Sequence, residues 1–315
     1  MATPSQFNPL NSGAAAVQTS AATDNLRAVG WILFSVITAS TMSLAVKELA
    51  DDFDSRMIVM LRSGITAVLM AVPIFLLTPL RRRLRFSKPK QHLIRGTLIG
   101  FSTHLGFYTL TVIPLATASV LFFTAPIFAT VLSVLVHGER VGPRRWGAVL
   151  AGFAGAVIVL RPGFDGFHIA MLAALLSSLL FAVALSMSRN LARADGPVSA
   201  YFSSVVITAL VSVPASAGAF VLPDTVWIWV VVAVLVLSSA SRGFADIQAY
   251  RYGEAAILAP ITYLRLVILG GAAYLIWGEV PDGFTIVGAS VIIVASLYIA
   301  RREAVIYNLN KKLES

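Results

Sequence analysis

Apolar residues run through this chain in long blocks separated by short polar connections. A helix needs about 20 apolar residues to cross the hydrocarbon core of a bilayer, which is about 30 Å thick. Ten segments approach this length, and the connections between them leave no room for a soluble domain. The segments are 28–47, 57–78, 93–113, 116–136, 145–161, 168–187, 199–221, 226–249, 255–277 and 284–300. The pattern therefore predicts an all-α membrane protein with ten transmembrane helices.

The composition supports this prediction and excludes several kinds of site. Hydrophobic residues make up 57% of the chain and charged residues 12%, against about 25% charged residues in typical soluble domains. The chain has no cysteine, so it holds neither a disulfide nor a Cys-ligated metal. The four histidines, His92, His104, His137 and His168, lie on separate segments without zinc-ligand spacing. We therefore expect no metal, no cofactor and no catalytic residue.

Lysine and arginine alternate between the loops and predict the orientation of the chain. Eighteen of the 24 basic residues fall on one side of the ten spans, and seven of them lie in the loop from Arg81 to Arg95. The first loop on the opposite side is acidic, with Asp51, Asp52 and Asp54. Because cytoplasmic loops are enriched in Lys and Arg, both termini are predicted to be cytoplasmic. The same rule accounts for the net charge of +9 without a nucleic-acid partner.

The two ends of the chain fall outside the predicted spans. Residues 1–26 are rich in Ala, Ser and Thr and lack the basic start and apolar stretch of a secretory signal, so they predict a disordered leader. Residues 302–315 predict a cytoplasmic tail.

A recurring dipeptide indicates that the chain is a duplication. Gly138-Glu139 follows one long apolar run, and Gly278-Glu279 follows another 140 residues later. The predicted repeats are residues 27–162 and 163–301, each with five spans. Because five is odd, the second repeat is expected to insert upside down relative to the first. Inverted repeats around a site near the middle of the membrane are a common plan for transporters, since they supply two related conformations open to opposite sides.

Further motifs in both halves resemble those of the EamA-type drug/metabolite transporter family, over about residues 27–301. The motifs are Ala116-Thr117-Ala118, Leu121-Phe122-Phe123, Ala125-Pro126, Gly138-Glu139-Arg140, Trp146-Gly147-Ala148 and Ala151-Gly152 with Gly155 in the first half, and Ala255-Ala256, Gly278-Glu279 and Val287-Gly288-Ala289 in the second. The resemblance implies a ten-helix exporter of amino acids and related metabolites in a bacterial inner membrane. Some members carry aromatic amino acids, and others carry nucleotide sugars, vitamins or drugs. The motifs specify the fold and leave the substrate open.

Two ionisable residues lie deepest in the predicted spans. With a rise of about 1.5 Å per residue, His104 and Arg265 stand about 15 to 17 Å from the cytoplasmic ends of their spans. A charge at this depth is costly and usually faces a cavity, so we expect Arg265 to bind a substrate carboxylate and His104 to donate a hydrogen bond. Tyr108 lies one turn from His104, and Tyr263 lies beside Arg265. The alternatives are a satisfied core histidine and a structural contact between the arginine and a backbone carbonyl.

Aromatic and hydroxyl side chains at similar depths complete the predicted binding site. Aromatic rings there would form an apolar wall for bulky side chains, and hydroxyls would line the pathway. Hydroxyls also bond back to their own helix, so the second group is the weaker set. The residues are Phe107, Phe123, Thr38, Ser186 and Ser239.

Five further residues bear on movement or on the membrane boundary. Arg242 and Asp246 stand four residues apart near the inner end of span eight, as an inner gate or a structural pair. Pro126 and Pro260 lie on spans four and nine, which are related by the repeat, and are hinge candidates. Arg62 is close enough to the outer end of span two to extend to the interface.

These observations predict an inner-membrane exporter of small metabolites, most often amino acids and including aromatic ones, that works by alternating access. No acidic residue lies near the middle of a span, so the prediction favours facilitated transport, with proton coupling through His104 as the alternative. The rival functions are a drug or other metabolite transporter of the same fold, an intramembrane enzyme, and a channel. The expected partners are a small-molecule substrate and the lipid bilayer; the oligomeric state stays open, and a monomer is compatible with the pattern.

Overall fold

A computed structural model of the chain describes residues 10–82, 84–137, 142–161, 166–252 and 255–314. Within these ranges the secondary structure is helical, with turns and no strand. The helices are α1 (Leu10–Glu48), α2 (Ser55–Leu76), α3 (Thr78–Arg81), α4 (Pro89–Val112), α5 (Leu115–Phe122), α6 (Ala125–His137), α7 (Pro143–Leu160), α8 (Ile169–Asp195), α9 (Pro197–Ser216), α10 (Val226–Tyr252), α11 (Ala255–Thr262), α12 (Leu264–Trp277) and α13 (Gly283–Glu314).

The helices match the ten predicted spans. Eight stretches of the described residues are long and apolar enough to cross a membrane, and α7 adds a shorter apolar stretch, Trp146–Leu160. The helix of the third span, α4, has 24 residues, but Lys90, His92 and Arg95 lower its hydropathy. The predicted all-α membrane fold with ten helices is thus confirmed.

Three sequence predictions concern segments at the edges of the described ranges. Helix α1 begins at Leu10, so the predicted disordered leader is helical from that residue onward. Residues 1–9 and the first-half motif Gly138-Glu139-Arg140 lie outside the described residues. The repeat boundaries at residues 162 and 163 also fall there, and they stay predictions.

Helix packing has the symmetry expected of an inverted duplication. Helix α1, the first span of the first repeat, packs against α10, the third span of the second. In the same way α8 packs against α4, which are the first and third spans of the opposite repeats. The two second spans, α2 and α9, contact each other, as do the two fifth spans, α7 and α13. Each repeat therefore completes its core with helices of the other.

The contact between α7 and α13 depends on two glycines. A Cβ atom on Gly288 would lie 2.7 Å from the carbonyl oxygen of Gly155 and 2.4 Å from Cγ2 of Val159. A Cβ atom on Gly155 would lie 3.0 Å from the carbonyl oxygen of Gly288. Because neither site has room for a side chain, the backbones of the two helices approach closely, as small residues allow in membranes.

Spans four and nine are both broken in the middle, at positions 140 residues apart. Span four separates into α5 and α6 at Phe123, and span nine separates into α11 and α12 at Tyr263. Pro126 lies in the first turn of α6, where a missing N–H costs little, whereas Pro260 lies within α11 and precedes its break by three residues. The two breaks meet, because the rings of Phe123 and Tyr263 have centroids 4.6 Å apart.

Candidate substrate-binding site

Arg265 stands in the first turn of α12, directly after the break in span nine. Its Nη2 atom donates a 2.8 Å hydrogen bond to Oγ of Ser43 on α1, a residue with no exposed surface. The Nε atom of Arg265 is buried and has no hydrogen-bond partner among the described residues. Since a buried donor without a partner is costly, Arg265 retains capacity for a ligand.

The predicted pair of Arg242 and Asp246 forms on α10. The Nε atom of Arg242 lies 3.7 Å from Oδ2 of Asp246, and both side chains are about one-third exposed, at 33% and 38%. Ser35 on α1 donates a short hydrogen bond to the Asp246 carboxylate. Arg242 and Asp246 both lie within electrostatic range of Arg265. The pair is therefore joined to the neighbouring helix α1 through Ser35.

Arg62 belongs to the same region, and the expectation that it extends to the outer interface is wrong. Its guanidinium carbon lies 5.3 Å from the centroid of the Phe107 ring, and its Nε atom is buried without a hydrogen-bond partner among the described residues. The residues one turn before and after it, Ile58 and Thr66, are buried. Arg62 therefore lies on the inward face of α2, and it is within electrostatic range of Arg242.

Tyr201 on α9 is the second residue of this region that the sequence did not indicate. It lies within electrostatic range of Arg62, Arg242 and Asp246. A Cβ atom added to Gly243 would meet the Tyr201 ring at 3.0 Å, so the phenol packs directly on the backbone of α10 beside Arg242. Its position near the start of α9 resembles that of an interfacial anchor, which hides the inward direction of the ring.

His104 on α4 has a defined partner and a defined tautomer. Its Nε2 atom lies 2.9 Å from Oγ of Ser212 on α9. Ser212 donates its only hydroxyl proton to the carbonyl of Thr208, at 2.7 Å, so it accepts from the histidine. The neutral ring then carries its proton on Nε2 and leaves Nδ1 as an acceptor. His104 lies within electrostatic range of Arg62 but makes no hydrogen bond to it among the described contacts.

The predicted aromatic residues divide into two places. Phe107 is buried beneath the Arg62 guanidinium, and Tyr108 packs against the main hydrophobic core. Phe123 and Tyr263 form the tilted pair that joins the two helix breaks. The structure thus places the Phe107 ring against Arg62, and it places the Phe123–Tyr263 pair where the two helix breaks meet.

The predicted hydroxyl residues contribute less to this region. Thr38 donates to the carbonyl of Phe34 at 2.9 Å, and Ser186 donates to the carbonyl of Val183 at 2.7 Å. Both hydroxyls are therefore engaged with their own helices, and Ser239 is buried. A role for these three residues in binding substrate stays a prediction, as does the hinge role of the prolines.

We call the group of inward-facing residues on α2, α9, α10 and α12 the central polar cluster. Among the described residues, the cluster contains three guanidinium groups and one carboxylate, so positive charge is in excess there. Arginine stays protonated in proteins and binds carboxylates and phosphates with its planar fork. The cluster is therefore suited to an anionic ligand. Its members are Arg62, Tyr201, Arg242, Asp246 and Arg265, supported by Ser35 and Ser43 on α1.

The Gly-Glu dipeptide of the second repeat forms a turn that contacts the first repeat. Gly278 adopts a left-handed conformation, with φ of 68°, and ends α12. The turn directs Glu279 to the first repeat, where its Oε2 accepts a 2.9 Å hydrogen bond from the backbone N–H of Leu115. Its Oε1 lies 2.8 Å from Nζ of Lys47. This group, which we call the outer clasp, ties α1 and the start of α5 to the end of α12.

A second buried network closes the predicted cytoplasmic end. Asp195 at the end of α8 accepts a 2.9 Å hydrogen bond from the backbone N–H of Ser87, and its carboxylate lies 3.1 Å from Nε2 of His92. Nδ1 of His92 lies 2.7 Å from Oγ of Ser203 on α9. Hydrogen bonds from Ser87 and then His92 hold the pKa of the Asp195 carboxyl at about 2, against the opposing effect of burial. The arginine-rich loop is thus fixed to the turn between α8 and α9.

Comparison with known proteins agrees with this architecture. Residues 26–161 match the model of the EamA-like transporter family. The S-adenosylmethionine uptake transporter of Rickettsia bellii is 31% identical over 275 residues, which cover 87% of this chain and 94% of that protein. The chain belongs to the EamA-like transporter family. It is therefore a multi-pass membrane transporter of the drug/metabolite transporter superfamily.

Other relatives of this EamA-like transporter have different named substrates. The riboflavin transporter of Rhizobium johnstonii is 32% identical over 221 residues, covering 70% of this chain and 73% of that protein. The pseudopaline exporter of Pseudomonas aeruginosa is 30% identical over 270 residues, covering 84% and 92%. A solved crystal structure at 21% identity covers 87% of this chain and 95% of its own, with a TM-score of 0.60, and shares the fold.

Proposed function

We propose that this transporter moves amino-acid-derived metabolites with a free carboxylate across a bacterial inner membrane by alternating access. The observation that carries the proposal is Arg265, a guanidinium at the broken centre of span nine whose Nε atom has no partner among the described residues. A carboxylate is the group that best satisfies such a donor at this depth. The inverted packing of the repeats supports two related conformations of the same site.

The proposal also covers the direction of net transport and the class of metabolite. The sequence predicts export of amino acids, whereas relatives are named both for uptake and for export. A facilitated carrier runs in the direction of the substrate gradient, so we propose export of metabolites that accumulate in the cytoplasm. Proton coupling has little support, because no acidic residue lies near the middle of a predicted span and because His104 already has a hydrogen-bond partner.

A second candidate is uptake of S-adenosylmethionine, which the similarity to the Rickettsia transporters favours. This metabolite also contains an amino-acid carboxylate, so Arg265 would suit it. It further carries a sulfonium cation, and the positive charges of Arg62 and Arg242 oppose binding of a cation. The two candidates therefore differ in the charge of the group that lies beyond the carboxylate.

The test is transport by the purified full-length chain in liposomes, with labelled L-phenylalanine, L-glutamine, L-glutamate and S-adenosylmethionine. We expect protein-dependent flux of at least one of the amino acids, unchanged when a proton gradient is collapsed. Arg265→Gln should reduce that flux at least about tenfold, the effect of losing one charge-assisted pair. The matched control is Arg56→Gln, because Arg56 is half exposed at the start of α2 and pairs with Asp54.

Several results would contradict the proposal. Flux of S-adenosylmethionine without flux of any amino acid would favour the second candidate. Equal flux through the wild-type chain and Arg265→Gln would remove the carboxylate role of this residue. Liposomes without protein that match the wild type across the whole panel would refute transport of these compounds.

A further inference from the structure

We propose that the segment between α2 and α4 is a binding surface for anionic phospholipids. We call residues 81–90 the basic segment, and its described basic residues are Arg81, Arg82, Arg85, Lys88 and Lys90. All five are exposed. A phosphate headgroup is the partner that such a surface fits, because arginine and lysine donate charge-assisted hydrogen bonds to phosphate oxygens.

The first argument is that these positive charges lack acidic partners. The sequence contains no aspartate or glutamate between Asp54 and Glu139. Asp195 reaches the segment in space, but it accepts hydrogen bonds from the backbone N–H groups of Ser87, at 2.9 Å, and Lys88, at 3.4 Å. The side chain of Asp195 has no exposed surface. The described ion pairs include none of the five basic side chains, so their charges are available to a ligand.

The second argument is that the backbone of the basic segment is held in place. The N–H of Arg85 donates a 2.9 Å hydrogen bond to Oγ of Ser199, beside the contacts with Asp195. Within the segment, the N–H of Leu84 donates to the carbonyl of Arg81 at 3.2 Å. Charges on a fixed backbone lose less conformational entropy on binding than charges on a mobile loop. The enrichment of basic residues in cytoplasmic loops accounts for the charges but does not require this anchoring.

The third argument is the position of the basic segment relative to the lipid. Leu76 and Leu77 at the end of α2, and Leu93 and Ile94 near the start of α4, are each more than half exposed. Exposed apolar side chains on membrane-spanning helices face the hydrocarbon tails. The basic segment connects these two apolar surfaces, so it lies at the level of the headgroups. Phe86 adds an exposed ring within the segment, as is common at membrane interfaces.

Binding of matched lipids to the purified full-length chain in detergent micelles tests this proposal. The lipids are phosphatidylglycerol and phosphatidylcholine with the same acyl chains, and glycerol 3-phosphate is the soluble competitor. We expect phosphatidylglycerol to bind at least about tenfold more tightly than phosphatidylcholine, as measured by lipid-dependent thermal stabilisation. The preference should weaken as the salt concentration rises, because the charges are exposed.

Variants of the basic segment separate recognition from folding. Arg81→Gln, Arg82→Gln and Arg85→Gln together should lower the affinity for phosphatidylglycerol at least about tenfold, since each basic residue near an anionic surface contributes about a fivefold factor. Arg81→Lys, Arg82→Lys and Arg85→Lys together keep the charge and should leave the affinity within about threefold of the wild type.

A matched control removes the same charge elsewhere. Arg27, Arg144 and Arg301 are exposed on the same predicted side of the membrane and lie outside the basic segment. Their combined replacement by Gln should leave the affinity for phosphatidylglycerol within about twofold of the wild type.

Four outcomes would overturn the proposal, and none depends on the transported substrate. The first is equal affinity for the two lipids. The second is equal weakening in the Gln variant of the segment and in the matched control, because overall charge then explains the binding. The third is equal weakening in the Lys and Gln variants of the segment, because a structural role gives that result. The fourth is displacement of phosphatidylglycerol by glycerol 3-phosphate at equal concentration, which would assign the surface to a soluble phosphate.

Discussion

Removal of the Glu279 carboxylate should open the end of the transporter that is predicted to face outward. This carboxylate lies 2.8 Å from the Lys47 ammonium and accepts a 2.9 Å hydrogen bond from the N–H of Leu115. Both charged side chains are less than one-fifth exposed, at 18% and 17%. The contacts join different repeats, so a change of conformation that separates the repeats at this end would break them.

The magnitude follows from the two contacts. A hydrogen bond to a charged group contributes about 1.5–3 kcal/mol, and a carboxylate at a helix N-terminus adds about 0.3–1 kcal/mol. The partly exposed ion pair with Lys47 adds at most about 1 kcal/mol. The hydrogen bond and the helix-terminus term describe the same contact and do not fully add, so we expect Glu279→Ala to cost about 2–3 kcal/mol. Glu279→Gln should cost about half as much, since an amide oxygen still accepts from Leu115. If the contacts exist only when this end is closed, a loss of about 2 kcal/mol shifts the equilibrium about 30-fold.

The assay uses the absence of cysteine from the chain, which makes a single introduced thiol a unique reporter. Ser43 has no exposed surface and bonds to Arg265, so Ser43→Cys reports entry into the binding site. Glu279→Ala in that background should raise the rate of labelling by an impermeant maleimide from outside by up to about 30-fold. Glu48→Ala is the control, because Glu48 lies at the same end and makes a 3.4 Å hydrogen bond to Trp227. A lower melting temperature with an unchanged labelling rate would refute the reasoning, since the contacts would then persist in both conformations.

Three further predictions concern other parts of the fold. The carboxyl of Asp195 has a pKa of about 2, below its usual 3.8, so its stabilising effect is present above about pH 4 and lost as the pH falls to about 2. Melting curves should show an acid-induced drop that is smaller in Asp195→Asn, since the carboxyls of Asp54 and Asp282, whose pKa values are also lowered, still contribute. Gly288→Ala should destabilise the chain by about 1–3 kcal/mol through overpacking, whereas Gly283→Ala, which meets nothing within 4 Å, should be nearly neutral in the same melts. Phe123→Ala removes the ring contact with Tyr263 and should cost about 0.5–1.5 kcal/mol beyond the lost apolar area, to be checked against Tyr263→Ala and the double variant in a thermodynamic cycle.

The architecture was predictable because the bilayer restricts it strongly. A spanning helix satisfies its own backbone, so span length and hydropathy leave few alternatives. The inward position of Arg265 could likewise be predicted from its depth, since an arginine in the middle of a span is far from both interfaces and is costly in lipid. The break at Phe123 had a local signal in Pro126, and its partner break at Tyr263 follows from the repeat.

The depth of a residue in its span does not predict which side of the helix its side chain faces. Arg62 is close to a span end, and depth alone favours the interface. Its inward direction comes from the helix face that it shares with Ile58 and Thr66, and that face is fixed by packing against other helices. The spacing of four residues between Ile58, Arg62 and Thr66 was a sequence signal for this shared helix face. Tyr201 had no comparable signal, because its contact with Gly243 depends on how α9 packs against α10.

The symmetry of the helices and the asymmetry of the charges have separate consequences. Where α10 meets α1, Asp246 accepts a hydrogen bond from Ser35. Where α4 meets α8, a contact between the helices joins two hydroxyl residues, and Ser102 donates to the carbonyl of Ser177 at 2.9 Å. The same packing thus carries a charge on one side and neutral groups on the other. In the mechanism that we propose, the symmetric scaffold would supply two related conformations, and the asymmetric charges would select the ligand that they enclose. In such a mechanism a ligand that stabilised one conformation strongly would slow the exchange to the other, so turnover requires moderate affinity.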